Sequence, residues 1–219
     1  MILKGVKICP SILSANFFNL KKDVHFLKKA GVDIIHLDVM DGHFVPNISF
    51  GDVILKSIAS NSNMYVDVHL MVSNPLKHIE KFFLKNVLNI TFHVECDDDS
   101  LKCIGAIKNF GCSCGIAINP GTDISKIKPY LNFVDMVVVM TVNPGFAGQK
   151  FMPDMLKKVG LLRNFSPLLN IEADGGVNNK NAGDIIRAGA NFLVAGSYVF
   201  NSGSILRAVR NLRRCCMSV

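Results

Sequence analysis

Three short stretches carry side chains that could do chemistry together. The first is "HLDVMDGHFVPN", His36 to Asn47, which follows the apolar "VDII" and packs two histidines, two aspartates and a methionine close together. In an extended strand alternate side chains share a face, so His36, Asp38 and Met40 point one way and Leu37 and Val39 the other. The same arithmetic groups Asp67, His69 and Met71 in "DVHLM", and Glu172 with Asp174 in "EAD". Taken singly, each of these residues reads as part of a hydrogen-bonded polar network. Imidazole nitrogens and carboxylate oxygens are also the donors that zinc, iron, manganese or cobalt accept. If His36, Asp38, His69 and Asp174 converge, one divalent ion is the favoured reading, because burying such groups without a neutralising cation is costly.

A second set is glycine. "NPGFAGQ" (Asn143 to Gln149), "DGG" (Asp174 to Gly176) and "AGS" (Ala195 to Ser197) each follow an apolar run. One such group is only a turn signal. Three at consecutive strand ends bring backbone N–H groups together and match an anion cradle, aided by a helix N-terminus after the last of them. An ion on one side and a phosphate cradle on the other define a small phosphorylated molecule with chelating oxygens. For such a substrate one carboxylate can remove a proton next to a carbonyl, and a second on the opposite face can return one, inverting that carbon.

These groups need a scaffold that gathers strand ends. Eight apolar runs are candidate strands: 6–14, 34–41, 64–72, 89–96, 114–120, 136–145, 170–177 and 191–200. Helical patterns lie between them. "NLKKDVHFLKKAG" has Leu20, Val24, Phe26 and Leu27 apolar with Gly31 as a cap; "NPLKHIEKFFLKN" reads as a helix with Asn74 as N-cap and Pro75 first; "NNKNAGDIIRAGAN" ends at Gly189. Strand–helix alternation implies right-handed crossovers and a parallel sheet, and eight units suit an α/β fold closed as a (β/α)8 TIM barrel, whose active sites form at the C-terminal strand ends. An open doubly wound sheet is the alternative, but no G-x-G-x-x-G follows the first strand. With 49% hydrophobic and 19% charged residues and no low-complexity linker, residues 1–219 read as a single barrel domain.

The net charge of +7 is spread along the chain. The pairs Lys21-Lys22, Lys28-Lys29 and Lys157-Lys158 read as solvated helix faces, and no aromatic-interleaved basic run points to nucleic acid. A mild positive field favours a small anionic substrate. Lys4 and Lys7 interrupt the only apolar N-terminal run, so no signal peptide is expected. The compartment is read as reducing, and the location as cytoplasmic. Cys112 and Cys114 form a C-x-C without a zinc-spaced partner and read as ordinary thiols; Cys215-Cys216 sit in a C-terminal tail, a weak lipidation signal. No run is long enough to span a bilayer.

The motifs "ICPSILSANF", "HLDVMDGHFVPN", "DVHLMV", "TFHVE", "INPGT", "VNPGFAGQ" and "ADGGV" together resemble the ribulose-phosphate 3-epimerase family over essentially the whole chain. The resemblance implies a ribulose-phosphate-binding barrel that interconverts D-ribulose 5-phosphate and D-xylulose 5-phosphate in the pentose phosphate pathway. It implies His36, Asp38, His69 and Asp174 as ligands of one divalent ion (zinc, iron(II), manganese or cobalt), with Asp38 and Asp174 as the acid/base pair. Ser11 and His69, with Gly145, Phe146, Ala147, Gly148, Asp174, Gly175, Gly176, Gly196 and Ser197, would contact the substrate. Met40, Met71 and Met140 would wall the reacting centre, although core filling explains Met140 equally well. A homo-oligomer is implied too. Ala147 stands where the family loop usually reads "GFGGQ", which would restrict the loop if that position needs positive φ. Glu172 and Tyr198 also depart from the commonest pattern. His43 and Asp41 read as loop-shaping, His93 and Glu95 as a supporting network, and His25 and His78 as structural. Rival readings are an epimerase of a six-carbon sugar phosphate such as D-allulose 6-phosphate, a barrel decarboxylase, and a non-catalytic phosphate-binding protein. The decarboxylase pattern D-x-K-x-x-D lacks its lysine at Asp67-Val68-His69.

Overall fold

A computed structural model describes residues 5–32 and 34–217. The stretch through Lys4 on which the signal-peptide expectation rests lies partly outside them. The strands are β1 (Lys7–Cys9), β2 (Ile34–Met40), β3 (Tyr65–Met71), β4 (Val87–His93), β5 (Ser113–Ile118), β6 (Met136–Met140), β7 (Asn170–Asp174) and β8 (Phe192–Val194). All pair in parallel, in the order β1-β8-β7-β6-β5-β4-β3-β2. A parallel bridge from Ser11 to His36, with the His36 N–H donating to Pro10 O at 3.0 Å, joins β1 to β2 and closes the ring. The (β/α)8 expectation holds.

The crossover helices are α1 (Leu20–Lys29), α2 (Asp52–Asn61), α3 (Ser100–Asn109), α4 (Met155–Phe165), α5 (Ala182–Ala188), the short α6 (Ser197–Phe200) and α7 (Ile205–Met217). Their buried faces, through Leu27, Leu55, Ile107, Leu162, Ile185 and Leu212, pack on Ile35, Leu37, Val68, Ile116, Val137 and Ile171 from the outward face of the strands. Alternation sends the intervening residues inward. Cys9, Ile34, Ala117, Met136, Val138, Met140, Phe192 and Val194 form a separate apolar cluster inside the barrel. The rest of the interior is polar and buried, with His36, Asp38, Asp67, His69, Asn89, Thr91, His93, Glu172 and Asp174. Burial of the outer layer drives closure; the polar inner residues then have no solvent and must satisfy one another.

Gly115 marks how tight that interior is. A β-carbon there would overlap Thr91 Oγ1 and lie 3.1 Å from Asn89 Nδ2, the amide that donates to Asp67 Oδ1 at 2.8 Å. Gly115→Ala therefore overpacks the barrel, and we expect a loss of about 1–3 kcal/mol, read as a lower melting temperature. An unchanged melting curve would contradict this packing.

Several element boundaries depart from the expectation. The first strand ends at Cys9, because Pro10 supplies no N–H to a ladder and Ser11 Oγ instead accepts from Leu13 N, opening a 3-10 turn over Ile12–Ser14. The eighth strand ends at Val194; Gly196 turns the chain into α6. "NPLKHIEKFFLKN" is not one α-helix but two 3-10 turns, Pro75–Lys77 and Ile79–Phe82, with no side-chain cap from Asn74. The buried Pro75, Ile79 and Phe82 fit such short turns. Gly189 ends α5 in the left-handed region at φ 117°, as its position predicts.

Lys158 is not on a solvated face. Its ammonium donates to the carbonyl oxygens of Asn119 and Pro120 at 3.0 and 2.7 Å and of Thr122 at 2.5 Å, capping the loop after β5. Cys215 and Cys216 belong to α7 and pack against the core rather than forming a tail. All seven cysteines are free thiols. Among the described residues no helix is long and apolar enough to cross a membrane.

Candidate metal and sugar-phosphate site

Strand register, invisible in the sequence, decides which polar groups meet. Asp38 lies beside His69, His36 beside Asp67 and Met40 beside Met71 on the β2–β3 pair. On the other side of the ring Met140 lies beside Asp174. The result is a compact donor set at the C-terminal mouth. His36 Nε2 is 3.3 Å from Asp38 Oδ1, 3.4 Å from His69 Nδ1 and 3.6 Å from Asp174 Oδ2. His69 Nδ1 is 3.4 Å from Asp38 Oδ1 and 3.2 Å from Asp174 Oδ2.

Those spacings test whether a cation fits. Donors about 2.0–2.1 Å from a tetrahedral zinc-like centre stand about 3.3–3.4 Å from one another. The observed edges scatter around that value. His36, Asp38, His69 and Asp174 are thus compatible with a divalent metal site, and all four are buried.

Each histidine offers the cage a free lone pair only if its other nitrogen carries the proton. His36 Nδ1 lies 2.8 Å from Asp67 Oδ2, so it donates there and leaves Nε2 for the cage. Asp67 is held in turn by Asn89, and both sit below the mouth. Glu172 lies 3.5 Å from His36 Nδ1 and is fully buried beside Asp67. Burial, reinforced by the Asp67 charge, pushes its carboxyl well above the usual carboxylate range.

Electrostatics inside the cage point the same way. Burial opposes a charge on His36, yet the Asp38 carboxylate and hydrogen bonds to Asp174 and Asp38 outweigh it and hold the imidazole well above its usual range. His69 is raised likewise, burial being overcome by Asp174 and Asp38. Asp38 and Asp174 are lowered; burial works against their charge, but the two histidines win. The pocket therefore demands positive charge at its centre, which protons or a cation can supply.

Above the cage a cleft opens to solvent. Its lining includes Ser11, Asp38, Met40, Met71, Met140, Gly145, Phe146, Ala147, Gly148, Asp174, Gly175, Gly176, Gly196 and Ser197, so the structure brings these sequence candidates together. His36 and His69 lie beneath it, fully buried. Ser11 donates its hydroxyl to Asp38 Oδ2, leaving Oδ1 toward the cage. On the glycine side Gly175 and Gly176 have φ of 123° and 65°, and a β-carbon at Gly176 would lie 2.6 Å from Phe151 N. Only glycine fits that turn. The "NPGFAGQ" loop is tied shut by Gln149 Nε2 on Asn143 O and Phe146 O, at 2.6 and 3.0 Å. No described non-glycine residue has positive φ, so Ala147 costs this loop no backbone strain.

Ser14 was not among the sequence candidates. Its buried hydroxyl lines the cleft without a hydrogen-bond partner, beside Gly196. The second serine of "SILS" was the only signal available. Asp41 Oδ1 accepts from His43 N and Phe44 N and Oδ2 from Ser73 N, so that pair shapes the loop as expected.

Comparison with known proteins places this geometry. Residues 7–200 match the ribulose-phosphate 3 epimerase family. The chain belongs to that family. The rice (Oryza sativa subsp. japonica) ribulose-phosphate 3-epimerase, cytoplasmic isoform, is 41% identical over 213 residues, covering 94% of this chain and 93% of its own. The Bacillus subtilis ribulose-phosphate 3-epimerase is 39% identical, covering 95% and 98%. As a family member the protein is an isomerase-class enzyme acting on a phosphorylated sugar. Among solved structures, 3-hexulose-6-phosphate synthase from Salmonella typhimurium superposes with a TM-score of 0.73 at 17% identity, over 97% of this chain and 99% of that one. Orotidine 5'-monophosphate decarboxylase from Sulfolobus solfataricus gives 0.68 at 10% identity, over 97% and 98%. At those identities the likeness is one of fold.

Proposed function

We propose that this epimerase-family barrel, acting as a single domain across residues 1–219, interconverts D-ribulose 5-phosphate and D-xylulose 5-phosphate by inverting C3, in the pentose phosphate pathway. One observation carries the reading. Asp38 on β2 and Asp174 on β7 approach one cleft from different sides of the ring, each presenting an oxygen to the same histidine pair.

A divalent ion (zinc, iron(II), manganese or cobalt) held by His36, Asp38, His69 and Asp174 would polarise the substrate carbonyl and stabilise the negative charge that builds on its oxygens. The chain's own residues do the rest. Asp38, kept ionised by its histidine neighbours and oriented by Ser11, takes the C3 proton from one face. The enediolate that results is reprotonated at C3 from the opposite face by Asp174, and the roles exchange in the reverse direction. Met40, Met71 and Met140 line the reacting centre with polarizable, water-excluding thioethers. Gly145, Phe146, Ala147, Gly148, Gly175, Gly176, Gly196 and Ser197 surround the phosphate and sugar, with Ser197 at the start of α6. A homo-oligomer and a cytoplasmic location complete the proposal; the rice relative carries a cytoplasmic designation.

In deuterated water, metal-loaded protein is expected to exchange the C3 hydrogen of ribulose 5-phosphate with solvent and to form xylulose 5-phosphate. Binding without exchange would defeat the catalytic reading. Faster turnover of D-allulose 6-phosphate would move the assignment to the six-carbon substrate.

A further inference from the structure

His69 is served by an arrangement unlike that of His36. Its Nε2 faces not a carboxylate but His93 Nε2, at 2.8 Å. The two rings are inclined by only 18° with centroids 5.0 Å apart. A centroid separation so much longer than the N–N distance sets the rings edge to edge in nearly one plane, which is the geometry of an N–H···N hydrogen bond. Such a bond leaves open which ring donates. Glu95 resolves it. His93 Nδ1 lies 3.2 Å from Glu95 Oε2, while Glu95 Oε1 accepts from Asn119 N–H at 2.8 Å. An ionised carboxylate accepts and cannot donate, so His93 must carry its proton on Nδ1. His93 Nε2 is then a lone pair, His69 must donate from Nε2, and His69 Nδ1 is left bare toward Asp38 and Asp174.

We propose that His93 and Glu95 are positioning residues that fix the tautomer of His69 and so ready its Nδ1 as a metal donor. The proposal rests on the reading of the His36, Asp38, His69 and Asp174 cage as a metal site. The relay has a further property. Glu95 is the only rim member of the chain Glu95–His93–His69, with 21% of its side chain exposed, and its second oxygen is fixed by the backbone after β5. That same loop is the one Lys158 caps through Asn119, Pro120 and Thr122. The orientation of a buried ligand on β3 is thus set from two strands away.

Glu95→Gln is the sharp test because it keeps size and reverses one polarity. Asn119 N–H still needs an acceptor, so the glutamine oxygen faces it and the amide N–H faces His93 Nδ1. That forces His93 to protonate Nε2, His69 to accept there, and the proton of His69 onto Nδ1, where a ligand lone pair is required. Two measurements read the outcome. Long-range proton–nitrogen spectra of metal-free, nitrogen-15-labelled protein, taken above the pH range in which His69 becomes a neutral imidazole, report which ring nitrogen keeps the proton. Competition against a chromophoric chelator reports zinc affinity. Wild type is expected to show His69 protonated on Nε2 and His93 on Nδ1; Glu95→Gln is expected to invert both and to bind zinc about 10- to 100-fold more weakly, the usual cost of losing an outer partner. The inverse tautomers in wild type, or wild-type tautomers and zinc affinity in Glu95→Gln, would overturn the proposal. The wild-type spectra decide the relay even if the variant does not fold. Should wild type show the expected tautomers yet bind no zinc, cobalt, iron(II) or manganese, the cage reading falls and with it the role proposed for the relay.

Discussion

Asp38→Asn and Asp174→Asn are each expected to lower kcat by about 100- to 10,000-fold, the range that loss of a general acid or base produces. Asparagine preserves the shape of the side chain. At position 38 its oxygen can still accept from the Ser11 hydroxyl, so the loss falls on basicity rather than on packing. A two-base mechanism makes a sharper prediction than a fall in rate. With one base intact, one epimer still loses its C3 hydrogen to solvent while failing to invert, and the other does neither. The two variants should show this defect with opposite substrates. Both carboxylates are also candidate ligands, so metal content must be measured alongside exchange. Near-wild-type turnover in either variant would end the two-base account.

Stripping the divalent ion with a chelator is expected to drop turnover below about a hundredth of the starting rate, since Lewis-acid stabilisation contributes several kcal/mol to such a barrier. Re-adding zinc, iron(II), manganese or cobalt one at a time should restore it and would name the ions the site accepts. pH dependence follows from the cage. His36 and His69 hold protons more tightly than a free imidazole, burial being outweighed by the carboxylates around them. A metal must displace those protons, so affinity should rise about tenfold per pH unit for each one, through a window above roughly pH 6.5, and level off once both imidazoles are neutral. For the stripped protein the sign of the stability effect is set by the same shifts. Histidines raised in the folded state contribute stabilisation that is complete below their unfolded value, about 6.5, and lost as pH rises through their folded values. The stripped protein should therefore melt at lower temperature as pH rises through that window, and the loaded protein should not. Equal pH profiles for the two forms would show that no ion replaces the protons.

Much of the site was legible because strand alternation is a strong rule. His36, Asp38 and Met40, then Asp67, His69 and Met71, could be assigned to shared faces from spacing alone, and the structure places both sets inside the barrel. Partnership was not legible. That His36 Nδ1 finds Asp67 and His69 Nε2 finds His93 depends on register between strands, which no single strand encodes. From sequence alone His93 is no more than part of a supporting network. Ends of elements were the other weak point. Pro10 and Gly196 stop β1 and β8 early, and both breaks serve the cleft by turning Ser11 and Ser197 toward it. Lys158 looked like half of an ordinary surface pair, because a lysine that caps three carbonyls has the same local sequence as one that caps none.

The ring closes where β1 meets β2, through the bridge between Ser11 and His36. Its seam runs through the proposed reaction centre: one edge brings the hydroxyl that steers Asp38, the other brings the imidazole and Asp38 itself. β1 also pairs with β8, joining Lys7 to Phe192, so the strand that delivers this hydroxyl is held on both sides. A partly assembled barrel would hold most of the donor cage yet lack the oriented base. Full activity thereby depends on a closed seam and not only on the presence of the donor cage.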